Sequence, residues 1–410
     1  MTYNKIAENN RGKYRVFRML GPAFVAAVAY VDPGNFAANF SAGAKYGYLL
    51  LWVLVVANVM AMLVQYLSAK VGLVTGKSLP EVVAEKLGRK TRLAYWFQAE
   101  LVAIACDIAE VVGGALALNM LFGVPMLLGG VIVGAVSMLL LLIYNKPEKK
   151  YFERTIMGLM LIIPLGFIVG LFQHPPSISG VASGLVPQFA GADTLLLATA
   201  MLGATIMPHV VYLHSALARD RHGKVLKNEL PGYLRATKFD VGIAMVVAGS
   251  VNIAMLLLAA SALSGQPGIE SFQDIFMALH VHTGSLVAIL FALGLLVSGL
   301  TSTSVASQAG SVIMQGLLRR KINVFIRRLV TLLPALFILL IGFDPTAALL
   351  LSQIGLSFGV PFALIPLAMI TANSAIMGEN RNSRIITLFV WAIAGIVSVL
   401  NLALVWLTFF

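Results

Sequence analysis

Eleven apolar segments of helical length run along this chain, and they constrain its fold more than any other feature. They cover residues 16–41, 46–72, 93–122, 125–144, 154–173, 193–218, 239–263, 284–317, 325–342, 346–372 and 385–409. About 20 apolar residues cross a bilayer as a helix, and a backbone in lipid must satisfy its own hydrogen bonds. The sequence therefore predicts an all-α polytopic membrane protein with eleven transmembrane helices.

The composition supports this class and excludes a soluble enzyme. Only 11% of the 410 residues are charged, whereas soluble domains carry about 25%. The basic residues behind the net charge of +12 lie in short loops between apolar segments. They therefore indicate membrane orientation rather than nucleic-acid binding. The one cysteine, Cys106, lies in an apolar helix, where we expect it to serve packing.

Lysines and arginines sort to one side of the membrane when the eleven helices alternate in direction. With the N-terminus in the cytoplasm, 28 of the 29 basic residues fall in cytoplasmic segments, and only Lys45 falls outside. Because cytoplasmic loops are enriched in Lys and Arg, this sorting predicts a cytoplasmic N-terminus and an extracellular C-terminus. A wrong helix count would scramble the pattern, so it supports the count as well.

The first segment is interrupted in its middle by Asp32-Pro33-Gly34-Asn35. A carboxylate at the bilayer centre costs on the order of 3 kcal/mol or more. Proline removes a backbone donor, and glycine loosens a helix. These residues predict a helix broken at its middle, with carbonyls and two side-chain oxygens turned toward a polar species.

The sixth segment has a matching interruption, GATIMPH, from Gly203 to His209. Interruptions in helices one and six predict two repeated units, helices 1–5 over residues 16–173 and helices 6–10 over residues 193–372. Each unit has an odd number of helices, so the second is an inverted repeat of the first. Helix eleven, over 385–409, is then an addition to this 5+5 arrangement.

The two interruptions together offer ligands for a metal ion. Asp32 supplies a carboxylate, Asn35 an amide oxygen and Met207 a thioether, and the unwound backbone adds carbonyls at Ala29 and Ala204. Hard cations such as Mg²⁺ and Ca²⁺ take oxygen ligands only. A sulfur ligand favours ions from Mn²⁺ and Fe²⁺ to Cd²⁺. The alternative is that Met207 fills an apolar core, as most methionines do.

Two further residues near the interruptions have open roles. Gln353, early in helix ten, either adds an oxygen to a closed site or bonds between helices. His209 is a metal ligand, a proton carrier or a core histidine, and its position on another side of the helix from Met207 favours proton transfer.

Helix three carries three acids, Glu100, Asp107 and Glu110, which lie within about 80° of one another on a helical wheel. Acids on one face of a spanning helix need partners. The candidate partners are Arg327, Arg328 and Arg221. The arrangement is either a proton route from His209 to the cytoplasm or an ion-pair network that fixes helix packing, and the two roles are compatible.

With both interruptions described, the chain resembles a known family. Asp-Pro-Gly-Asn in helix one with Met-Pro-His in helix six is similar to the Nramp family (natural resistance-associated macrophage protein), in particular its bacterial manganese and iron transporters. The resemblance runs from about Leu20 to the C-terminus and includes AELVAIACDIAEVVGGALAL (99–118), GATIMPHVVYLHSAL (203–217) and SQIGLSFGVPFALIPL (352–367). It implies the inverted-repeat fold of the leucine transporter, the LeuT-type fold.

The resemblance also implies roles for individual residues. The implied metal ligands are Asp32, Asn35, Met207 and the Ala204 carbonyl, with the Ala29 carbonyl and Gln353 entering in some conformations. The implied proton pathway consists of Asp32, His209, Glu110, Asp107 and Arg328. Many members carry Asn after Met-Pro-His, where this chain has Val210. Because Val210 follows the ligands, we expect little effect of this departure.

We therefore predict that residues 1–410 form one transporter domain, a monomeric proton-coupled symporter. It would import Mn²⁺ or Fe²⁺, and similar soft ions such as Cd²⁺, across a bacterial cell membrane by alternating access. Metal ions, protons and lipid are its expected partners, and no cofactor is expected. The alternatives are a sodium-coupled organic-solute carrier on the same fold and a Mg²⁺ or Ca²⁺ carrier. A membrane metalloenzyme is disfavoured because no H-E-x-x-H sequence occurs.

Overall fold

The computed structural model describes residues 21–144, 162–223, 225–320 and 323–409, together with Gly158. Some of the predictions fall on other parts of the chain. The basic N-terminal residues, the first five residues of predicted helix one, the basic loop 146–154 and most of the first turns of predicted helix five lie outside the described residues.

The described part of the chain is helical and contains no strand. The helices of the first half are α1 (Pro22–Val28), α2 (Pro33–Tyr46), α3 (Leu51–Thr75), α4 (Leu79–Lys86), α5 (Arg89–Phe122), α6 (Met126–Tyr144), α7 (Ile162–Gln173) and α8 (Ile178–Gly184). Those of the second half are α9 (Ala192–Ile206), α10 (Pro208–His222), α11 (Leu230–Ala262), α12 (Phe272–Thr283), α13 (Ser285–Leu318), α14 (Val324–Leu340), α15 (Pro345–Ala372), α16 (Ser374–Met377) and α17 (Arg384–Phe409).

Each of the eleven predicted spans corresponds to a helix or to a broken pair of helices. The pairs are α1 with α2 and α9 with α10, at the two predicted interruptions. Within the described residues, seven helices or joined pairs are long and apolar enough to cross a membrane, and α1, α6 and α7 are shorter apolar helices. The prediction of a multi-pass all-α membrane protein is confirmed.

Two differences from the predicted elements have simple physical reasons. The helix α11 begins at Leu230, nine residues before the predicted start at 239. The helix extends beyond its apolar segment because the backbone hydrogen bonds of a helix also form in water. The short helices α4, α8 and α12 lie in loops and were not predicted, since they are too short to carry an apolar periodicity.

Contacts between residues near the ends of the spans agree with the predicted alternation of the spans across the membrane. On the predicted cytoplasmic side, Lys70 Nζ donates to Asn382 Oδ1 at 2.9 Å, and Arg219 forms an ion pair with Glu81. On the opposite side, a His174 ring nitrogen lies 3.0 Å from the carbonyl oxygen of His282. Each contact joins two residues that the eleven-helix topology places on the same side of the membrane.

The broken helices lie at the centre of the bundle. The pair α1–α2 packs against α11 and α13, and α9–α10 packs against α3 and α15. The helix α13 crosses α5 closely at Gly299, where an added Cβ would lie 2.8 Å from the Glu110 carbonyl oxygen. Small residues such as glycine permit this close approach between membrane helices.

Candidate metal site

The first break is built by Asp32, which ends one helix and begins the next. A short 3₁₀ turn, Ala29–Val31, follows α1, and Asp32 then adopts an extended backbone with φ −91° and ψ 167°. Its side chain caps α2, because Oδ1 accepts a hydrogen bond from the backbone N–H of Asn35 at 2.8 Å. Asp is among the residues that N-caps prefer, so the same residue that breaks the span also stabilises the break.

The carbonyls of the unwound turn are partly satisfied by other helices. The Tyr30 carbonyl accepts from Asn252 Nδ2 of α11 at 2.8 Å, and the Val31 carbonyl accepts from Ser298 Oγ of α13 at 2.5 Å. Buried carbonyls need such partners when the helical donors are used elsewhere. These two contacts hold the broken segment in place.

The second break is centred on Met207. Its backbone has φ 39° and ψ 88°, in the left-handed region, between the end of α9 and the start of α10. A non-glycine residue in this region costs on the order of 1–2 kcal/mol, and such strain is concentrated at functional sites. Met207 is completely buried, so the surrounding helices enforce this conformation.

A proline follows each predicted carbonyl ligand by four residues. Pro33 stands four residues after Ala29, and Pro208 stands four residues after Ala204. Because proline has no backbone N–H, neither carbonyl has the donor that a continuous helix would supply. The Ala204 carbonyl instead accepts from Asn35 Nδ2 at 3.0 Å. That bond joins the two breaks, which lie 169 residues apart in the chain.

Several oxygens at this junction have no hydrogen-bond partner although they are buried. They are Asp32 Oδ2, Asn35 Oδ1 and Gln353 Oε1. Asp32 forms no ion pair with any of the described residues. An ionised carboxylate buried without a counter-charge is strongly unfavourable. A free carboxylate oxygen with two free amide oxygens near it is a partial donor set for a divalent cation, which binds carboxylate and amide oxygens.

Gln353 reaches this junction by lying directly against Gly34. An added Cβ on Gly34 would stand 1.8 Å from Gln353 Nε2 and 2.0 Å from its Cδ. Glycine is therefore needed within Asp32-Pro33-Gly34-Asn35 for close approach by α15. The sequence left two roles open for Gln353, and this position is compatible with its serving as an oxygen ligand.

The Gly34→Ala variant is therefore expected to displace the Gln353 side chain and weaken Mn²⁺ binding about tenfold, as loss of one contact worth about 1.4 kcal/mol does. Titration calorimetry of the purified protein measures the affinity. Gly355→Ala on α15 is the matched control, because its added Cβ would make an ordinary 3.5 Å contact with Ala105. Equal affinities for Gly34→Ala and the control would contradict this interpretation of the packing.

His209 lies next to the second break and is separated from the acids of α5 by Cys106. His209 Nε2 is 3.6 Å from Cys106 Sγ, and the thiol is in turn 3.6 Å from Glu110 Oε1. His209 Nδ1 has no partner among the described residues. The sequence assigned Cys106 to packing alone, whereas the structure places its thiol between an imidazole and a carboxylate.

The three acids of α5 share one face and pair with consecutive arginines of α14, as predicted. Arg328 Nη1 lies 2.5 Å from Asp107 Oδ1 and 3.8 Å from Glu110 Oε2. Arg327 Nη2 lies 3.0 Å from Glu100 Oε1. The exposed fraction of the acid side chains falls from 13% at Glu100 to 2% at Asp107 and 0% at Glu110. The acids therefore run from near the surface to the interior.

Arg221, the third predicted partner, lies elsewhere in the fold. Its guanidinium approaches Gly21 at the start of α1, 3.6 Å from the position of an added Cβ. Within the described ranges no ion pair links Arg221 to Glu100, Asp107 or Glu110. Its position at the end of α10 puts it beside the broken first helix rather than beside α5.

Sequence reasoning gave too little weight to polar residues that support the breaks from neighbouring helices. Besides Asn252 and Ser298, a chain runs from Tyr30 to α3 and α10. Gln65 Nε2 donates to the Tyr30 hydroxyl at 2.5 Å, and Gln65 Oε1 lies 2.9 Å from His214 Nδ1. An amide in the middle of an apolar helix was the available signal, because buried amides require partners.

Comparison with a protein-family model identifies the family of this chain. The model of the family described as natural resistance-associated macrophage protein-like, Nramp, matches residues 23–407. This chain belongs to the Nramp family. The resemblance drawn from the two interrupted helices is thus confirmed over nearly the whole chain. The match does not divide the chain, so the boundaries of the two Nramp repeats at 16–173 and 193–372 stay a prediction.

Individual Nramp relatives and solved structures agree. The "Divalent metal cation transporter MntH" of Mycobacterium tuberculosis (strain CDC 1551 / Oshkosh) is 53% identical over 410 residues, covering 98% of this chain and 95% of the relative. A crystal structure of the Eremococcus coleocola manganese transporter superposes with a TM-score of 0.85 at 30% identity, covering 95% of this chain and 86% of that one. These Nramp relatives are named as transporters, which confirms the prediction that the chain is not an enzyme.

A more distant likeness concerns the fold alone. Mhp1, a nucleobase-cation-symport-1 family transporter, superposes with a TM-score of 0.59 at 17% identity, covering 85% of this chain and 77% of that one. Together with the Nramp structures, it confirms the LeuT-type fold class of this chain.

Proposed function

We propose that this protein is a proton-coupled symporter that imports divalent transition-metal ions, Mn²⁺ or Fe²⁺, by alternating access. One observation carries the proposal. Two broken helices meet at the buried carboxylate of Asp32, and its Oδ2 and the neighbouring Asn35 Oδ1 and Gln353 Oε1 have no hydrogen-bond partner among the described residues. A divalent cation would neutralise the charge and satisfy the oxygens together.

The proposed ion is a transition metal because Met207 stands at the second break. The ligand set consists of the side chains of Asp32, Asn35 and Met207 and the Ala204 carbonyl, with Gln353 and the Ala29 carbonyl entering as the site opens and closes. Thioether sulfur suits softer ions and contributes little to Mg²⁺ or Ca²⁺ binding. The names of the mycobacterial and Eremococcus relatives, a divalent metal cation transporter and a manganese transporter, support the same ion class.

Replacing Met207 with Leu is expected to change ion preference more than stability. Leu conserves volume, so the packing cost is below about 1.5 kcal/mol, and its backbone strain resembles that of Met. Cd²⁺ affinity should fall by about tenfold or more, the equivalent of about 1.4 kcal/mol, while Mn²⁺ affinity falls less and Mg²⁺ competes better. Titrations with the three ions check this. Met314→Leu, a buried methionine of α13 away from the breaks, is the control.

The second candidate is a sodium-coupled organic-solute carrier on the same fold. The distant likeness to Mhp1 is the observation that favours it. Against it, Asp32 would repel a substrate carboxylate, and Met207 at the break would have no function. Uptake of Mn²⁺ into proteoliposomes in the absence of sodium distinguishes the two. Uptake that requires sodium would favour the second candidate.

The proposed proton route separates from the metal route at Asp32. It then follows buried titratable side chains toward the cytoplasm. It passes His209, then Glu110 and Asp107 beside Arg328, and ends near Glu100 and Arg327. The support is the distances of 3.6 Å that link His209 to Glu110 through Cys106. Because a metal ligand must be deprotonated, metal binding at Asp32 is linked to a proton. Arg221 has no part in this route.

The proposed location is the cell membrane of a bacterium, with the N-terminus in the cytoplasm, the C-terminus outside and one chain as the working unit. The support for this orientation is the sorting of basic residues by the eleven helices. The inward-negative membrane potential then drives cations inward with about 2.3 kcal/mol per charge per 100 mV.

A further inference from the structure

The helix α15, which carries Gln353, has two internal prolines, Pro361 and Pro366. Each proline lacks a backbone N–H, so each leaves the carbonyl four residues earlier, Ser357 or Phe362, without its helical donor. A buried carbonyl needs a partner, and the helix bends where the bond is missing. The groups that bind these two carbonyls therefore set the shape of α15.

The Ser357 carbonyl is bound by the eleventh helix. Asn401 Nδ2 of α17 donates to it at 3.0 Å. In return, Ser357 Oγ donates to Asn401 Oδ1 at 2.9 Å. Both residues are buried. The pair of bonds fixes the Asn401 amide in one orientation and joins α17 to α15 at the point where α15 lacks a bond of its own.

The second carbonyl is bound from other helices. Phe362 accepts from the Tyr212 hydroxyl of α10 at 3.1 Å and from the Tyr95 hydroxyl of α5. The proline-freed carbonyl nearer to Gln353 is thus the one held by α17.

The turn between Gln353 and Ser357 is also fixed on its other side. Gly203 of α9 lies against it, so that an added Cβ would stand 2.1 Å from the Gln353 carbonyl oxygen and 2.7 Å from the Ser357 nitrogen. The next residue of α9 is Ala204, whose carbonyl binds Asn35. One turn of α15 is therefore held between the second break and Asn401.

We propose that Asn401 is a positioning residue for the metal site. By binding the Ser357 carbonyl that Pro361 leaves free, it holds α15 so that the Gln353 amide lies against Gly34. This inference rests on the proposed metal-transport function. It makes the eleventh helix, which sequence reasoning treated as an addition to the two repeats, part of the machinery that shapes the site. Asn401 does not touch the ion and acts through Gln353.

A double-mutant cycle between Asn401 and Gln353 tests the proposal, with Mn²⁺ affinity as the readout. Asn401→Leu keeps the side-chain volume and removes the donor, and it is expected to weaken binding about tenfold. In a Gln353→Ala background the same change should weaken binding less than about twofold, because nothing remains to be positioned. A merely structural role of Asn401 would weaken binding equally in both backgrounds.

The control is Ser398→Ala on the same helix. The Ser398 hydroxyl donates to the Ala394 carbonyl of α17 at 2.7 Å and to no other described residue, so this variant should leave the affinity unchanged. If Asn401→Leu does not fold, Asn401→Ala, which also lacks the donor, replaces it in the cycle. Equal losses in both backgrounds, or wild-type affinity in the Asn401 variants, overturn the inference and leave the proposed function standing. A wild-type protein that binds no Mn²⁺ overturns both.

Discussion

The Asp32→Asn variant is expected to lose Mn²⁺ binding and uptake, with affinity falling by at least about a hundredfold, while its fold remains intact. Two tenfold steps correspond to about 2.8 kcal/mol, a modest figure for the one negative charge facing a divalent ion in a buried site. Asn is isosteric with Asp and is an equally good N-cap, so the cap on α2 and the bond with Asn35 can persist. The loss of Mn²⁺ affinity would therefore come from the missing negative charge, because the helix break itself is preserved.

Titration calorimetry in detergent and uptake into proteoliposomes measure the two effects separately. The control is Asp344→Asn, the matching substitution at an exposed N-cap, where Asp344 Oδ2 accepts from the Ala347 N–H at 2.6 Å. Near-normal Mn²⁺ affinity in Asp32→Asn, with the control equal to wild type, would show that the ion binds elsewhere.

The Arg328→Met variant is expected to lose about 3–5 kcal/mol of stability, since removing one member of a buried ion pair leaves charges uncompensated. Arg328 is completely buried and lies within 4 Å of both Asp107 and Glu110. Its guanidinium also reaches Ser137 Oγ at 3.3 Å, and among the described residues no other cation forms an ion pair with Asp107 or Glu110. Thermal unfolding in detergent should show a clearly lowered midpoint.

Neutralising the acids as well separates the structural role of this network from its transport role. The triple variant Arg328→Met, Asp107→Asn, Glu110→Gln should recover much of the lost stability, because it no longer buries carboxylates without a counter-charge. It should bind Mn²⁺ while failing to carry protons. A triple variant that still couples protons to metal uptake would show that the network serves packing alone.

The spans and their breaks could be predicted because lipid leaves a chain few choices. A helix is the structure that satisfies the backbone of one apolar segment, so the eleven segments determine the helices. Asp32 and Pro33 cannot lie within a continuous apolar helix without breaking it, and Pro208 marks the second break in the same way. The predictions of the spans and of their breaks therefore need only the local sequence and the properties of the lipid bilayer.

The remaining features depend on residues far apart in the chain. The contact of Gln353 with Gly34 joins positions 319 residues apart, and no local pattern specifies which helices meet there. The same holds for Ser298 and Asn252 at the unwound carbonyls and for Cys106 between His209 and Glu110. Arg221 was assigned to the acids by its charge and its predicted side of the membrane, and these do not determine lateral position in a bundle.

The most direct test of the account follows metal and protons together. Purified protein is reconstituted into liposomes with a pH-sensitive dye inside, and Mn²⁺ is added outside under an inward-negative potential. The account predicts Mn²⁺ uptake accompanied by internal acidification, with both signals lost in Asp32→Asn. Mn²⁺ uptake without acidification, or unchanged uptake in Asp32→Asn, would contradict it.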